Sequence, residues 1–350
     1  NNSGSSKLGG TMREPDHTRR VVITGLGIVS PIGNDIAAAW SSLTGMKSGL
    51  DRITHWDPTA YAPYVVAGEV RDFDPAAWLD AKSVRRTGPE IHWGVAAAKQ
   101  ALAHSGLEIT DGNREEIGVV FGSGAGGQGL FSENQMAWKE KGPRSVAPTF
   151  IAHGLVDSTS GMIAIETGAV GHNMAVVSAC ATGTHALGEA VEAIKRGDVT
   201  AVIAGSTENP LIEVAHIGFM NMRGLGAPRD GEGPASASRP FDADRAGFVL
   251  GEGAGAFIVE DLEHAKARGA RIYAELSGYS ASGDAYHLSS LAPEAEGSRR
   301  AMEQALRDAG VAPTQVGYVS AHATSTPGGD GEEGAAIAAV FAENKATLHV

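Results

Sequence analysis

Apolar and polar positions along this chain follow two periods, short apolar runs and helical stripes, and these predict alternating strands and helices. Val21-Val22-Ile23-Thr24-Gly25-Leu26-Gly27 is an apolar run closed by glycines and reads as a buried strand. Residues 36–44 follow with a helical pattern. Residues 91–105 predict a helix with Ile91, Val95, Ala98 and Leu102 on one face. Residues 117–121 predict a buried strand ending in Gly122-Ser123-Gly124. Residues 174–177 predict a strand that runs straight into Ser178-Ala179-Cys180, after which Ala186, Leu187, Ala190, Val191 and Ile194 recur at helical spacing. Strands at 201–204 and 255–260 come next. From residue 262 the pattern restarts: a charged helical turn at 264–268, a strand at 272–276, an amphipathic helix at 297–309, a strand at 318–321 leading into His322, a helix at 335–343, and the start of a strand at 347–350.

Strands alternating with helices predict an α/β fold built on a mostly parallel sheet with helices on its faces. The 350 residues allow one large domain or two fused halves sharing a core. A strand ending in a reactive residue occurs in both halves, which fits a weak duplication. The chain stops inside an apparent strand, so the C-terminus is expected to be truncated. Residues 1–11 are small and polar; they read as an appended scar, and residues 1–19 as a whole as a flexible N-terminus.

Composition narrows the function classes. Lys plus Arg is 28 and Asp plus Glu is 41, a formal net charge of −13, which argues against general nucleic-acid binding. The 47 glycines sit between apolar runs and suit tight turns rather than disorder. A single cysteine excludes an internal disulfide framework and points to a reducing, cytoplasmic setting. No run reaches the length of a membrane span, and no metal-ligand cluster is visible.

That cysteine, Cys180, falls between a predicted strand and a predicted helix. Free backbone N–H groups at a helix start lower a thiol's pKa and can hold the oxyanion of a thioester adduct. Gly183 is expected to permit close approach of a substrate. The competing reading is a small buried hydrophobe, which the strand–Cys–helix context disfavours.

Four segments in register then carry a resemblance. Ser178-Ala179-Cys180-Ala181-Thr182-Gly183 resembles the active-site segment of the β-ketoacyl-[acyl-carrier-protein] synthases of the elongating, type II kind. Residues 21–33 resemble that family's opening strand and turn. Arg239-Pro240-Phe241-Asp242, with Arg245, Gly247, Phe248 and Gly251-Glu252-Gly253, resembles its most distinctive loop. His322-Ala323-Thr324-Ser325-Thr326-Pro327 resembles the loop that carries one catalytic histidine.

The resemblance implies the thiolase fold, a duplicated five-layer α-β-α-β-α arrangement, with an N-terminal half at 20–262 carrying the nucleophile and an incomplete C-terminal half at 263–350. It implies a ping-pong acyl transfer in fatty-acid synthesis: Cys180 takes an acyl group, malonyl-ACP loses CO₂, and the carbanion attacks the acyl-cysteine. His322 is implied as catalytic, Thr324 and Thr326 as ligands of the phosphopantetheine arm, and Asp330 and Glu333 as supports of the loop. Thr324 and Thr326 could equally serve as loop caps. Glu333 is expected to pair with a lysine which, like a second histidine, the family carries beyond the stretch matching 347–350; the chain as written is expected to lack both. His185 and His287 stand outside the matching motif. Ala323 stands where the family usually has glycine, and Gly171-His172-Asn173 where it has Gly-Pro-Asn.

No cofactor bound by the enzyme is implied; phosphopantetheine arrives on acyl carrier protein. That partner is acidic, so a chain at −13 needs a local basic patch to dock it. Lys82, Arg85 and Arg86 match the family's docking positions, with Arg144 a weaker addition; a solvated helix start is the plainer reading. Phe219 and Met220 are expected at the acyl pocket or a dimer face. Ala125 stands where the family often has a larger aliphatic residue, so a deeper acyl tunnel is expected. The resemblance implies a homodimer taking acyl and malonyl thioesters. Alternatives are a discrete polyketide ketosynthase, a non-catalytic chain-length partner subunit, which usually lacks the nucleophile, and degradative thiolase chemistry.

Overall fold

The computed structural model describes residues 14–287, 290–344 and 346–350, so the scar predicted at 1–11 lies outside the described residues. Strands β1 (Val21–Val29), β2 (Ile117–Gly122), β3 (Asn173–Met174), β4 (Ala201–Glu208), β5 (Gly253–Asp261) and β6 (Ala274–Glu275) form a six-stranded sheet in the order β3-β2-β4-β5-β1-β6. β2 pairs in parallel with β3 and β4, whereas β4–β5, β5–β1 and β1–β6 are antiparallel. The sheet is therefore mixed, not mostly parallel. The chain leaves β4 at Glu208 and re-enters β5 at Gly253, opposite Glu208 in the register, so residues 209–252 return at the same end of the sheet without crossing it.

Side chains alternate across this sheet. Val119, Phe121, Ile203 and Ile258 face one layer, made by helices α1 (Pro89–Ser105) and α2 (Ser158–Thr167). Val120, Val202, Ala204 and Val259 face the other, made by α3 (Thr182–Arg196) with Ala186, Ala190, Val191 and Ile194. The predicted single apolar face of α1 is exceeded. Trp93, Val95, Ala96, Ala97, Ala98 and Ala101 are all buried and Leu102 only partly, because the helix lies between the sheet and α2. Its alanines allow that approach, as do Gly25 and Gly27 of β1, where a Cβ would collide with the carbonyls of Ala101 and Ala97.

Residues 14–19, expected to be flexible, are tied down. The Asp16 N–H donates to Lys195 O at 2.9 Å, and Arg19 Nη1 to Ile194 O at 3.1 Å, satisfying carbonyls at the C-terminus of α3. A second anchor is Glu260, fully buried on β5. It accepts from Thr24 Oγ1 of β1 at 2.6 Å and from Arg268 Nη2 at 2.7 Å, and contacts His264 Nδ1 at 2.9 Å. Burial raises this carboxyl, but those hydrogen bonds outweigh it and hold it at about 2.

The later segments deviate most from expectation. The strand predicted at 272–276 shrinks to β6, and those at 318–321 and 347–350 reduce to one parallel bridge between Tyr318 and His349. A strand needs ladder partners along its length, and these segments find them at one or two positions. The helix predicted at 335–343 instead begins at Pro327, so that α4 (Glu296–Ala309) packs beside α5 (Pro327–Val340). Among the described residues no helix is long and apolar enough to cross a membrane.

Candidate active site

The predicted strand before the cysteine ends at Met174, and residues 175–178 are irregular before a short 3-10 turn, Ala179–Ala181, feeds α3. The Thr182 hydroxyl fixes the turn: Oγ1 accepts the Ser178 N–H at 3.0 Å and donates to Ala179 O at 2.8 Å. Ala179 takes a left-handed φ of 50°, a strained conformation for alanine that presents Cys180 at the surface. The backbone N–H groups are partly committed. Ala181 N–H donates to Ser178 O at 3.0 Å, and the N–H of Cys180 is directed at its own sulfur. Gly183 packs toward β4, where a Cβ would lie 2.8 Å from Ser206 Oγ.

The turn meets the loop at His322. A hydrogen bond from the His322 side chain lowers the Cys180 thiol below its ordinary pKa, against the opposing effect of burial. Reciprocally, the thiol raises His322, and the nearby charges of Glu333 and Asp330 add to that rise. The pair therefore leans toward thiolate and imidazolium, the reactive form of a cysteine.

The His322 loop is fastened from three sides. Glu333 of α5 turns its carboxylate back to accept the N–H groups of His322 at 2.6 Å and Ala323 at 2.8 Å. Those are charge-assisted bonds to a backbone bent into the left-handed region at Ala323 (φ 48°) and Ser325 (φ 66°). Buried Asp330 accepts the Phe241 N–H at 2.8 Å and the Thr324 hydroxyl at 3.3 Å, with Arg245 Nε at 3.9 Å. Buried Ser325 accepts the Arg239 N–H at 3.0 Å, so the 239–247 loop locks onto the histidine loop. Thr326 caps α5 by accepting the Gly329 N–H at 3.1 Å, and its hydroxyl lies 2.9 Å from that of Thr324. Capping is thus one job of these hydroxyls. Glu333, expected to pair with a lysine, has a backbone role that its sequence position did not announce.

Ala125 lies in the glycine loop after β2, beside the turn that carries Cys180. A Cβ on Gly124 would meet Ala179 Cα at 3.3 Å, which places this loop against the residue preceding Cys180. The loop is held by Glu208 at the end of β4, which accepts the Gly124 N–H at 2.5 Å and the Ser123 hydroxyl at 3.1 Å. Sequence reading missed Glu208; its only signal was a charged residue closing an apolar strand. Phe219 lies on a helix at Glu213–Asn221, packed edge-on against Phe248 at 5.4 Å in a satellite core that also includes Met220. Lys82, Arg85 and Arg86 are exposed at a short helix, Ala81–Val84, capped by Asp80 and leading into α1; Arg144 is exposed as well.

Comparison with known proteins shows the family. The family model described as "Beta-ketoacyl synthase, N-terminal domain" matches residues 18–265, and "Beta-ketoacyl synthase, C-terminal domain" matches residues 273–350. The chain is 46% identical over 332 residues to a 3-oxoacyl-[acyl-carrier-protein] synthase 2 from Coxiella burnetii, covering 95% of this chain and 80% of that protein. It is 43% identical over 343 residues to the enzyme of the same name from Vibrio harveyi, covering 95% and 82%. Among solved structures, a type II polyketide ketosynthase in complex with its acyl-carrier protein superposes with a TM-score of 0.85 at 30% identity, over 96% of this chain and 80% of that one.

Proposed function

The chain belongs to the beta-ketoacyl synthase family and has its thiolase fold, and from that premise we propose that it performs the elongating condensation of fatty-acid synthesis with Cys180 as nucleophile. The observation that carries this reading is the meeting of Cys180 and His322, far apart in sequence, closely enough that each shifts the other's pKa. In the first half-reaction the Cys180 thiolate attacks the carbonyl of acyl-ACP. The C–S bond to phosphopantetheine breaks, and the carrier's thiol departs with a proton. In the second, the malonyl thioester loses CO₂, the carbanion attacks the acyl-cysteine carbonyl, and Cys180 leaves as thiolate. His322 donates a hydrogen bond to the malonyl thioester oxygen as it becomes enolate-like.

Thr324 and Thr326 hold the phosphopantetheine arm in this reading, with Asp330 and Glu333 fixing their loop. Ala125 and Phe219 border the acyl chain. Lys82, Arg85 and Arg86 dock the acidic carrier, a local attraction needed against a net charge of −13. The nucleophile belongs to an N-terminal half at 20–262 and His322 to a C-terminal half at 263–350, and the assembly is a cytoplasmic homodimer. A polyketide substrate is the second reading, favoured by the solved ketosynthase above. The higher identity to the fatty-acid enzymes supports the first. The test is a mixture of acyl-ACP and malonyl-ACP: the protein should release CO₂ and β-ketoacyl-ACP, and a cerulenin-like epoxide should alkylate Cys180 and stop both. Turnover that survives complete alkylation of Cys180 would overturn the assignment.

A further inference from the structure

Two carboxyls, buried Glu90 and half-buried Glu208, lie beside the 123–127 segment, and the condensation chemistry uses neither. Glu208 is fully engaged: besides Gly124 and Ser123, the N–H groups of Ala125 and Asn209 point at its carboxylate. Glu90, in the first turn of α1, is 4% exposed and meets the Asn209 side chain, but its Oε1 has no partner. That oxygen lies against the same loop, since a Cβ on Gly127 would approach it to 3.3 Å. Each charge disfavours ionisation of its neighbour, and the donors on each carboxyl decide which ionises more readily. N–H groups on Glu208 favour its charged form; a bare oxygen on Glu90 suits the neutral acid. Burial, with Glu208 and Glu133 as like-charged neighbours, pushes Glu90 up to about 7. Burial also raises Glu208, and the loop's hydrogen bonds oppose it. At the other end of the loop, the charge of Glu208 reaches Cys180 and counteracts the help given by His322.

We propose that Glu208 is a positioning residue of this site: its ionised carboxylate clamps the 123–125 loop against the nucleophile turn and moderates the thiol, while Glu90 keeps the pair's proton. The inference rests on the condensation site proposed above, yet its test requires no condensation, so the two can fail separately. Glu208→Gln preserves shape and removes charge. Iodoacetamide alkylation of Cys180, followed by mass spectrometry from about pH 5 to about pH 9, reads the thiolate. The midpoint should move to lower pH in Glu208→Gln, with alkylation below the midpoint roughly threefold faster, the equivalent of about half a pKa unit. Glu90→Gln should leave the midpoint in place. An unmoved midpoint in folded Glu208→Gln, or an equal shift in Glu90→Gln, overturns the proposal. Thermal melts decide independently if Glu208→Gln does not fold. Glu90 is a carboxyl raised above its ordinary 4.5, so its burial costs the wild type stability as pH rises from 4.5 to about 7. Glu90→Gln should lack that fall, and an undiminished fall in this variant rejects the proton assignment.

Discussion

Replacing Glu333 should weaken the fold and slow the thiol at once, because one carboxylate serves both. It accepts the N–H groups of His322 at 2.6 Å and Ala323 at 2.8 Å. A hydrogen bond to a charged group contributes about 1.5–3 kcal/mol, which sets an upper range of roughly 3–6 kcal/mol for the two. His322 is exposed, so water replaces part of the loss in Glu333→Ala, and a net cost of about 2–3 kcal/mol remains. The left-handed φ of 48° at Ala323 also loses its restraint and relaxes, freeing the loop to drift from Cys180. The second effect is electrostatic. Glu333 is one of the charges that raise His322, so its removal lowers the imidazole's pKa and reduces the imidazolium that favours the thiolate. Glu333→Gln keeps one acceptor and should fall between wild type and alanine on both counts. Urea denaturation followed by circular dichroism gives the stability, and iodoacetamide trapping against pH gives the thiol. A Glu333→Ala protein within about 0.5 kcal/mol of wild type, with an unmoved alkylation profile, would refute the reasoning.

Other outcomes follow from the same geometry. Arg268→Ala strips a partner from fully buried Glu260 and should cost about 3–5 kcal/mol by urea melts. Because Glu260 sits at about 2, below its ordinary 4.5, the wild type should also lose stability as pH falls from 4.5 toward 2, and this loss should shrink in the variant. His55 is raised by its hydrogen bond to Glu252, with burial opposing, so its contribution is complete below its ordinary 6.5 and disappears as pH climbs through the raised value. Melting temperatures of His55→Gln against wild type should converge at alkaline pH. Ala125→Phe should confine the enzyme to short acyl primers, read as the chain-length profile of acyl-ACP consumption; an unchanged profile removes Ala125 from the tunnel.

Much of the core could be read from periodicity, because buried strands such as Ile117–Gly122 are uniformly apolar and α3 repeats at helical spacing. The mixed direction of the sheet could not, since periodicity is blind to which end of a strand the chain re-enters. The start of α5 was missed for a local reason. Gly328, Gly329, Gly331 and Gly334 argue against a helix, while the Thr326-Pro327 cap and Asp330 in the first turn nucleate it. At the candidate site, Cys180 and His322 stood out from their motifs, and the structure brings the two together. Glu208 and Glu90 did not stand out, because what distinguishes them is their place against the 123–127 segment, reached from a strand end and a helix start far apart in sequence.

The most direct measurement is the intact mass of the protein after incubation with a long-chain acyl-ACP, followed by peptide mapping. The expected result is a mass increase of one acyl group, located on Cys180, labile to hydroxylamine as a thioester and absent in Cys180→Ala. Acylation elsewhere in the chain, or undiminished acylation of Cys180→Ala, would contradict it.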